Sequence, residues 1–310
     1  MTVALFTHPA ALAHDTGPFH PECAARISSV LRALEAPEFA ALRRESAPPA
    51  PPEALAAAHS PAFVQRLLAI APPPGGHYFI DGDTVVSAGT MEAAMRAAGG
   101  AMAAVDRVMT PAASAAFVAM RPPGHHAERA RAMGFCFFNN AAIAAFHARA
   151  RYGLRRIAVA DFDVHHGNGT QDIFTPDPEL FYASSHQYPC YPGTGAADER
   201  GVAGNVVNAP LPPGAGGAEF RAAWEGVILP ELMAFAPELL IISAGFDAHE
   251  ADPLAQLRLH EPDFAWVTQA LLTVSDTCCP NRVVSLLEGG YDLDALAASA
   301  ATHVRGLMRL

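Results

Sequence analysis

The sequence predicts a single α/β domain over residues 1–310, with a mainly parallel central sheet and helices on both of its faces. Short β-branched apolar runs alternate along the chain with longer segments of helical periodicity. The apolar runs are continuous, which is typical of strands that are buried on both faces of a parallel sheet. In addition, reactive polar residues directly follow four of these runs, and open parallel sheets place their sites at the carboxyl ends of strands.

The predicted strands are the short runs of mostly apolar residues. In chain order they are Val3–Thr7, Ala115–Met120, Ile157–Asp161, Leu180–Ser184, Leu239–Ser243 and Val283–Leu287. The predicted helices are the longer periodic segments Pro21–Leu34, Pro61–Ile70, Gly89–Val108, Asn139–Arg151, Ala218–Phe235, Glu261–Thr277 and Leu293–Met308. Two regions are predicted as loops: Ala47–Pro52 with Pro72–Gly76, and Tyr188–Gly217. The second is too long for an ordinary connection, and loops of that length are often functional.

Composition restricts the class of protein. With 51% hydrophobic and 16% charged residues, the chain can bury a sizeable core, which excludes global disorder. A net charge of −11 argues against a nucleic-acid-binding surface. The five cysteines are widely spaced without a Cys-x-x-Cys pattern, and no signal peptide is evident, so we expect a cytoplasmic protein with free thiols. No apolar run approaches 18 residues without a charge, so we expect no membrane span.

Asp161, Asp163 and His165 are the most informative residues of the sequence. They follow the apolar run that ends in Val159-Ala160, and alternate residues of a strand point to one side. Two carboxylates and an imidazole therefore converge where the strand ends, which is unfavourable unless a cation lies among them. Because carboxylate and imidazole are ligands that zinc and iron accept, the pattern predicts a metal site.

The segment Arg121-Pro-Pro-Gly-His-His126 predicts a second part of the site. Proline fixes the approach of the chain and Gly124 permits a sharp turn, so both His125 and His126 are expected to point in a defined direction. Histidine is the usual general base of a hydrolase that works near neutral pH. Just beyond, Gly134 and Phe135 adjoin this loop, and Phe135 is predicted to form a wall of an apolar channel.

Two further loops complete the predicted site. The segment Ser243–Pro253 offers Asp247, His249, Glu250 and Asp252, one of which would complete a three-ligand zinc set; the spacing does not select among them. In Leu287-Glu-Gly-Gly-Tyr291, a tyrosine that follows two glycines at a strand end can place its hydroxyl over the site to polarise a carbonyl.

Taken together, these residues resemble the zinc-dependent histone deacetylase family, including the bacterial class II-like histone-deacetylase-like amidohydrolases and the acetylpolyamine amidohydrolases. The stretches that carry the resemblance keep the family's order over nearly the whole chain: His14–Glu22, Arg121–Asn140, Asp161–Thr170, Tyr191–Gly195, Ser243–Pro253 and Leu287–Tyr291. The resemblance implies the arginase/deacetylase-like fold and a zinc-dependent amidohydrolase that removes acetyl or other acyl groups from N-acyl-lysine side chains.

Carried over residue by residue, the resemblance makes Asp163, His165 and Asp252 the zinc ligands. It implies that His126 is the general base and then the general acid, and that His125 with Asp161 is its electrostatic partner. It makes Tyr291 the carbonyl-polarising hydroxyl and Asn168 the partner of His126, at a position where some relatives have Asp. A neutral partner raises the pKa of an imidazole less than Asp does, so it favours a base that is unprotonated at pH 7.

The resemblance also implies the wall of the acyl-lysine channel, formed by Gly134, Phe135 and Tyr191. It further implies a potassium site near the zinc, at Asp161, Asp163, His165, Ser184 and Ser185. The chain departs from the family at Phe19 and Ala24, which bears on the shape of the substrate. Polyamine-selective relatives can carry an acidic residue at the channel entrance, about seven residues after the metal-binding Asp. This chain has Leu259 there, which makes a preference for polyamine substrates less expected.

Three alternatives remain open. The chain could act on acetylpolyamines or other small N-acyl amines, or it could bind acyl-lysine without turnover, which the complete set of catalytic residues disfavours. The third is a binuclear arginase-like ureohydrolase, which would need additional bridging ligands. The expected partner is thus an acylated lysine peptide or protein, or a small N-acyl amine. The sequence leaves the physiological substrate, the acyl chain length and the oligomeric state open, including a homo-oligomer.

Overall fold

The centre of the fold is an eight-stranded sheet in which every neighbouring pair of strands is parallel. The computed structural model describes residues 2–310. The strands are β1 Val3–Thr7, β2 Arg43–Ser46, β3 Tyr78–Phe79, β4 Val85–Val86, β5 Ala115–Val118, β6 Ile157–Asp161, β7 Leu180–Gln187, β8 Val206–Leu211, β9 Leu239–Ala244 and β10 Val283–Leu287. The sheet order is β2-β1-β5-β10-β9-β6-β7-β8, while β3 and β4 form a separate antiparallel pair. The predicted single α/β domain with a mainly parallel sheet is confirmed.

Helices surround this sheet. They are α1 Ala10–Ala13, α2 Ala24–Ala33, α3 Pro52–Ala58, α4 Pro61–Leu68, α5 Thr90–Val108, α6 Asn140–Tyr152, α7 Asn168–Phe174, α8 Gly217–Ala223, α9 Leu229–Phe235, α10 Glu261–Cys278 and α11 Leu293–Met308. Local signals explain several of the ends. Asn139 and Asp292 accept hydrogen bonds from the first turns of α6 and α11, and Gly153 ends α6 in a left-handed conformation. All six predicted strands and seven predicted helices correspond to observed elements.

The sheet order positions the site. The loops that carry the predicted reactive residues follow β5, β6, β9 and β10, and these four strands are neighbours in the middle of the sheet. All residues of β5, β6, β9 and β10 are buried, since their continuous apolar sequences contact layers on both faces. Asp161 lies opposite Ser243, and Leu287 lies opposite Ala244, so the ends of the strands are level. The four loops therefore emerge side by side at one edge.

Some elements differ from the sequence prediction. The strand β2, Arg43–Ser46, is missing from the prediction because its residues are polar, which an edge strand with one neighbour tolerates. The predicted loop Tyr188–Gly217 contains β8, and the predicted loop Ala47–Pro52 leads directly into α3. The predicted helix Ala218–Phe235 is interrupted by a π-helical turn at Trp224–Ile228, a local widening that single extra residues produce in α-helices.

Among residues 2–310, no helix has both the length and the apolarity that crossing a membrane requires.

Candidate active site

A cavity of about 230 Å³ opens at the carboxyl edge of the sheet. Its walls combine apolar and ionisable side chains from six segments of the chain. They are Asp83, His126, Gly134, Phe135, His165, Tyr191, Leu254 and Tyr291. Six of these eight residues were predicted from the sequence as part of the site, and the fold brings them to one space.

Asp163, His165 and Asp247 form a buried cluster at the base of this site. One ligand atom from each residue can be chosen so that all of them lie within 4.8 Å of one another. The Nδ1 of His165 is 3.3 Å from Oδ1 of Asp163 and 3.1 Å from Oδ2 of Asp247. Burial, together with the negative charge of Asp163, raises the pKa of Asp247 to about 7. A divalent cation would relieve this repulsion, and two carboxylates with an imidazole are a donor set that zinc accepts.

Asp252, the third ligand implied by the resemblance, lies beside this cluster. Its Oδ2 accepts hydrogen bonds from the backbone N–H of Tyr291 at 2.7 Å and of Asp292 at 3.4 Å, and its Oδ1 accepts one from Leu254 at 3.0 Å. The carboxylate is thus anchored between two site loops. Asp247 instead accepts the N–H of Val164 at 2.9 Å, and so fixes the loop that carries His165.

His126 is held in the tautomer that a general base requires. Its Nδ1 lies 2.8 Å from Oδ1 of Asn168, while Nδ2 of Asn168 donates to Glu128 at 2.8 Å. Because Glu128 takes the amide donor, the Asn168 oxygen faces the imidazole, which must donate from Nδ1. The lone pair is then on Nε2. Burial lowers the pKa of His126 well below its ordinary value, and the positive charges of His125 and His165 lower it further.

His125 has the opposite electrostatic environment. Its Nδ1 is 3.0 Å from Oδ2 of Asp161, and its Nε2 is 3.8 Å from Oδ2 of Asp163. Burial alone would lower the pKa of His125, but the charges of Asp163 and Asp161 outweigh burial and raise it to about 10. The two adjacent rings, with centroids 4.0 Å apart, therefore favour different protonation states: His125 is charged and His126 is neutral. Such a divergence is typical of acid–base sites.

Glu288 orients the loop that carries both histidines. Its Oε2 accepts the backbone N–H of Gly124 at 2.7 Å and of His125 at 3.2 Å, and its Oε1 accepts the hydroxyl of Ser243 at 3.2 Å. The side chain is completely buried. It joins the loop after β5 to the end of β9 and to the loop after β10, so it is a positioning residue. The sequence placed Glu288 at a strand end among the reactive residues but gave it no role.

The channel wall is formed by the predicted aromatic residues. The rings of Phe135 and Tyr291 meet edge to face at 5.8 Å, and Tyr191 meets the ring of His126 at 5.1 Å. Gly134 has a φ of +56°, and a Cβ there would lie 2.6 Å from Cδ2 of His126, so the close approach requires glycine. The guanidinium of Arg26 is 4.9 Å from the centroid of the Tyr291 ring and supports it from below.

Three other predicted residues, Leu259, Ser184 and Ser185, are not among the residues that line the cavity, although Ser184 pairs with Asp161 across β6 and β7. Leu259 is fully buried in the hydrophobic core, because its backbone pairs with that of Ala248 and turns the side chain inward. The hydroxyl of Ser184 bonds to Nδ1 of His186 at 2.8 Å, and that of Ser185 accepts the indole N–H of Trp224 at 2.9 Å.

Two cavity residues were missed in the sequence, Asp83 and Leu254. Asp83 lies on the turn between β3 and β4, and Leu254 lies just after Asp252. The turn follows two exposed aromatic residues and carries no helical or strand periodicity. No sequence pattern therefore linked Asp83 to residues more than forty positions away.

A second group of possible ligands comprises His249, His260 and Glu261. Nδ1 of His249 accepts the backbone N–H of Ala251 at 3.0 Å, so the neutral ring carries its proton on Nε2. That nitrogen lies 3.7 Å from Oε1 of Glu261, beyond hydrogen-bond distance, and no other group among residues 2–310 accepts its hydrogen. This arrangement stabilises a loop and leaves His249 without a lone pair for a metal.

Comparison with known proteins agrees with this geometry. The histone deacetylase domain model matches residues 20–307. The chain is 42% identical over 310 residues to "Uncharacterized protein slr0245" of Synechocystis, covering 99% of each chain. It is 39% identical over 288 residues to the "Histone deacetylase-like amidohydrolase" of Pseudomonas aeruginosa, covering 91% of this chain and 74% of that one.

The fold is also similar to a solved structure. The crystal structure of the HDA15 HD domain superposes with a TM-score of 0.92 at 32% identity, covering 99% of this chain and 88% of that chain. The region that matches the family model, residues 20–307, includes all four strands whose loops form the site, β5, β6, β9 and β10. The chain belongs to the histone deacetylase family.

Proposed function

We propose that the protein is a zinc-dependent amidohydrolase that removes acetyl or other acyl groups from the side chains of N-acyl-lysine residues. The observation that carries this proposal is the position of His126, which is oriented by Asn168 and lines the same partly aromatic cavity as His165 and Tyr291. An amidohydrolase needs a base, an electrophile and an oxyanion donor around one carbonyl. The cavity provides residues suited to these roles, and aromatic side chains line it where an acyl-lysine stem would pass.

Asp163 and His165 would hold the zinc together with Asp252, the residue that the resemblance implies. Asp247 is the competing third ligand because it lies in the compact buried cluster. When bound, zinc supplies Lewis-acid polarisation of the acyl carbonyl and lowers the pKa of the attacking water.

The side chains of the chain then move the protons. Nε2 of His126 accepts a proton from the attacking water, because its Nδ1 is already committed to Asn168. The positive charge that His126 gains in this step is stabilised by the negative charge of Asp163. His126 then returns the proton to the departing amine nitrogen. Tyr291 donates a hydrogen bond to the oxygen that gains charge during attack. Phe135 and Tyr191 exclude water from the acyl-lysine stem.

A second candidate substrate class is small N-acyl amines such as acetylpolyamines. Asp83 favours it, because this half-buried carboxylate lines the cavity and would attract a cationic tail. Against this class, the position at which polyamine-selective relatives carry an acidic residue is occupied by Leu259, which is buried in the hydrophobic core.

The test is a substrate panel with the zinc-loaded protein. We expect a higher kcat/KM for an acetyl-lysine peptide than for acetylputrescine, with no turnover by the His126→Ala variant. A preference for acetylputrescine would replace the first substrate class by the second. Release of no acyl group from any member of the panel, at one zinc per chain, would contradict the amidohydrolase proposal and favour an acyl-lysine-binding protein.

Potassium and cytoplasmic location remain predictions. The potassium site at Asp161, Asp163, His165, Ser184 and Ser185 is implied by the resemblance alone, and the activity should then depend on KCl when NaCl keeps the ionic strength constant. All five cysteines are free in the structure, which is consistent with a reducing compartment.

A further inference from the structure

A second, larger cavity lies next to the proposed active site. It is a surface groove of about 590 Å³ between the end of α4, the strand β3 and the loop before Gly134. Its floor is mostly apolar and its rim carries charges. The lining residues are Phe63, Arg66, Leu67, Ala69, Ile70, Tyr78, Ile80, Asp81, Ala130, Arg131 and Ala132. None of them has a role in the chemistry described above.

The groove and the acyl-lysine cavity share two walls. Asp81 lines the groove and Asp83, two residues along the same turn, lines the cavity. On the other side, Ala132 lines the groove and Gly134 lines the cavity. Two residues of extended chain span at most about 7 Å. A peptide whose acylated lysine enters the cavity therefore reaches the groove within a few residues.

Two arginines at the groove have no carboxylate partner among residues 2–310. Arg66 and Arg131 are exposed and take part in no ion pair, whereas Arg149, for example, is paired with Asp177 and Glu179. The groove lining contains one carboxylate, Asp81, whose Oδ1 accepts the backbone N–H groups of Asp83 and Thr84 at 3.2 and 2.7 Å and is thereby held in the turn. The lining thus carries two arginines against one carboxylate, a local excess of positive charge in a chain of net charge −11.

Apolar surface adjoins these charges. Phe63 and Leu67 are buried at the floor, and the ring of Tyr78 is 49% exposed beside them. The groove therefore matches a ligand with an apolar side chain and a carboxylate, a combination that an extended peptide provides on neighbouring residues.

We propose that this groove binds the segment of a peptide or protein substrate next to the acylated lysine, and that Arg66 and Arg131 select an acidic side chain two to four residues from that lysine. The inference rests on the proposed function and specifies its substrate class. Solvent-exposed ion pairs contribute modestly, so the expected preference for Asp or Glu over Asn or Gln is roughly three- to tenfold in kcat/KM at low salt. It should decrease as salt is added, because salt screens exposed charges.

The experiment compares matched acetyl-lysine peptides that differ only in carrying Glu, Gln or Lys near the acylated residue. Each is assayed with the wild-type protein and with the Arg66→Ala, Arg131→Ala and double variants. Arg43→Ala is the matched control, because Arg43 is also exposed and without an ion pair but lies at the amino end of β2, at the edge of the sheet. A minimal acetyl-lysine substrate, too short to reach the groove, reports the basal activity.

We expect wild type and Arg43→Ala to prefer the Glu peptide, the double variant to lose this preference, and all of them to hydrolyse the minimal substrate alike. Arg131→Glu should invert the order in favour of the Lys peptide. Equal rates for the three peptides in wild type, or an acidic preference that survives in the double variant, would overturn the inference and leave the proposed function intact. Failure of wild type on the minimal substrate as well would overturn the proposed function, and this inference with it.

Discussion

The substitution Asn168→Asp tests the role of His126 through the pH dependence of the rate. The imidazole donates from Nδ1 to Oδ1 of Asn168 at 2.8 Å, and its pKa is low because it is buried beside other positive charges. A base must be neutral to accept a proton, so activity is present above its pKa and is lost as the pH falls through it. Asp at position 168 would stabilise the charged imidazolium and raise that pKa.

The magnitude follows from the geometry. Opposite unit charges ~4 Å apart interact by about 4 kcal/mol at an effective dielectric constant of 20, which corresponds to ~3 pKa units. In the wild type, Glu128 accepts a hydrogen bond from Nδ2 of Asn168 at 2.8 Å. In Asn168→Asp, Glu128 would face a second carboxylate, and this repulsion offsets part of the expected rise in the pKa of His126. We therefore expect the acidic limb of the kcat/KM profile to move upward by about 1–3 pH units.

The assay is kcat/KM for an acetyl-lysine peptide between pH 5 and 9, with zinc content measured at each end of the range. Asn168→Ala is the control: it removes the hydrogen bond without adding a charge, so its acidic limb should stay in place or move downward. An Asn168→Asp profile whose acidic limb coincides with that of wild type would refute the assignment of His126 as the base.

Three further outcomes are expected. His126→Ala should lower kcat by roughly 10² to 10⁴, much more than Asn168→Ala; similar losses would mean that Asn168 has a direct role or His126 is not the proton shuttle. Tyr291→Phe should keep zinc and the thermal unfolding temperature but raise the barrier by about 2.7–4 kcal/mol; near-normal kcat would leave carbonyl polarisation to zinc alone. Asp252→Ala should lose both zinc and activity. If Asp252→Ala keeps its full zinc content while Asp247→Ala loses zinc, Asp247 is the third ligand.

The sequence determined the central strands and the residues that follow them. Strands such as Ile157–Asp161 are buried on both faces, so their sequences are continuous apolar runs. Such runs can be recognised in a single sequence. The peripheral elements did not stand out, because edge strands such as Arg43–Ser46 contact one neighbour and can be polar. The other edge strand, β8, is mostly buried; it was missed because Asn208 and Pro210 interrupt its short apolar run within a segment rich in Pro and Gly.

The candidate site was also partly determined by the sequence. Asp163, His165 and His126 were found because each lies next to a strand end or a Pro-Gly turn with its own local signal. The resemblance to a family then assigned their roles. Neither source indicated that Asp83 lines the cavity or that Leu259 is buried in the core, since both facts depend on how distant segments pack.

The tertiary structure alone decided which strands are neighbours and which partners each side chain meets. Strand order places the loops after β5, β10, β9 and β6 side by side, although they are remote in the sequence. The N–H of Gly124 and the carboxylate of Glu288, 164 residues apart, meet at 2.7 Å. The tautomer of His126 likewise depends on Glu128, through the orientation of Asn168. Local periodicity reports burial, whereas proximity and protonation arise from contacts between segments that are remote along the chain.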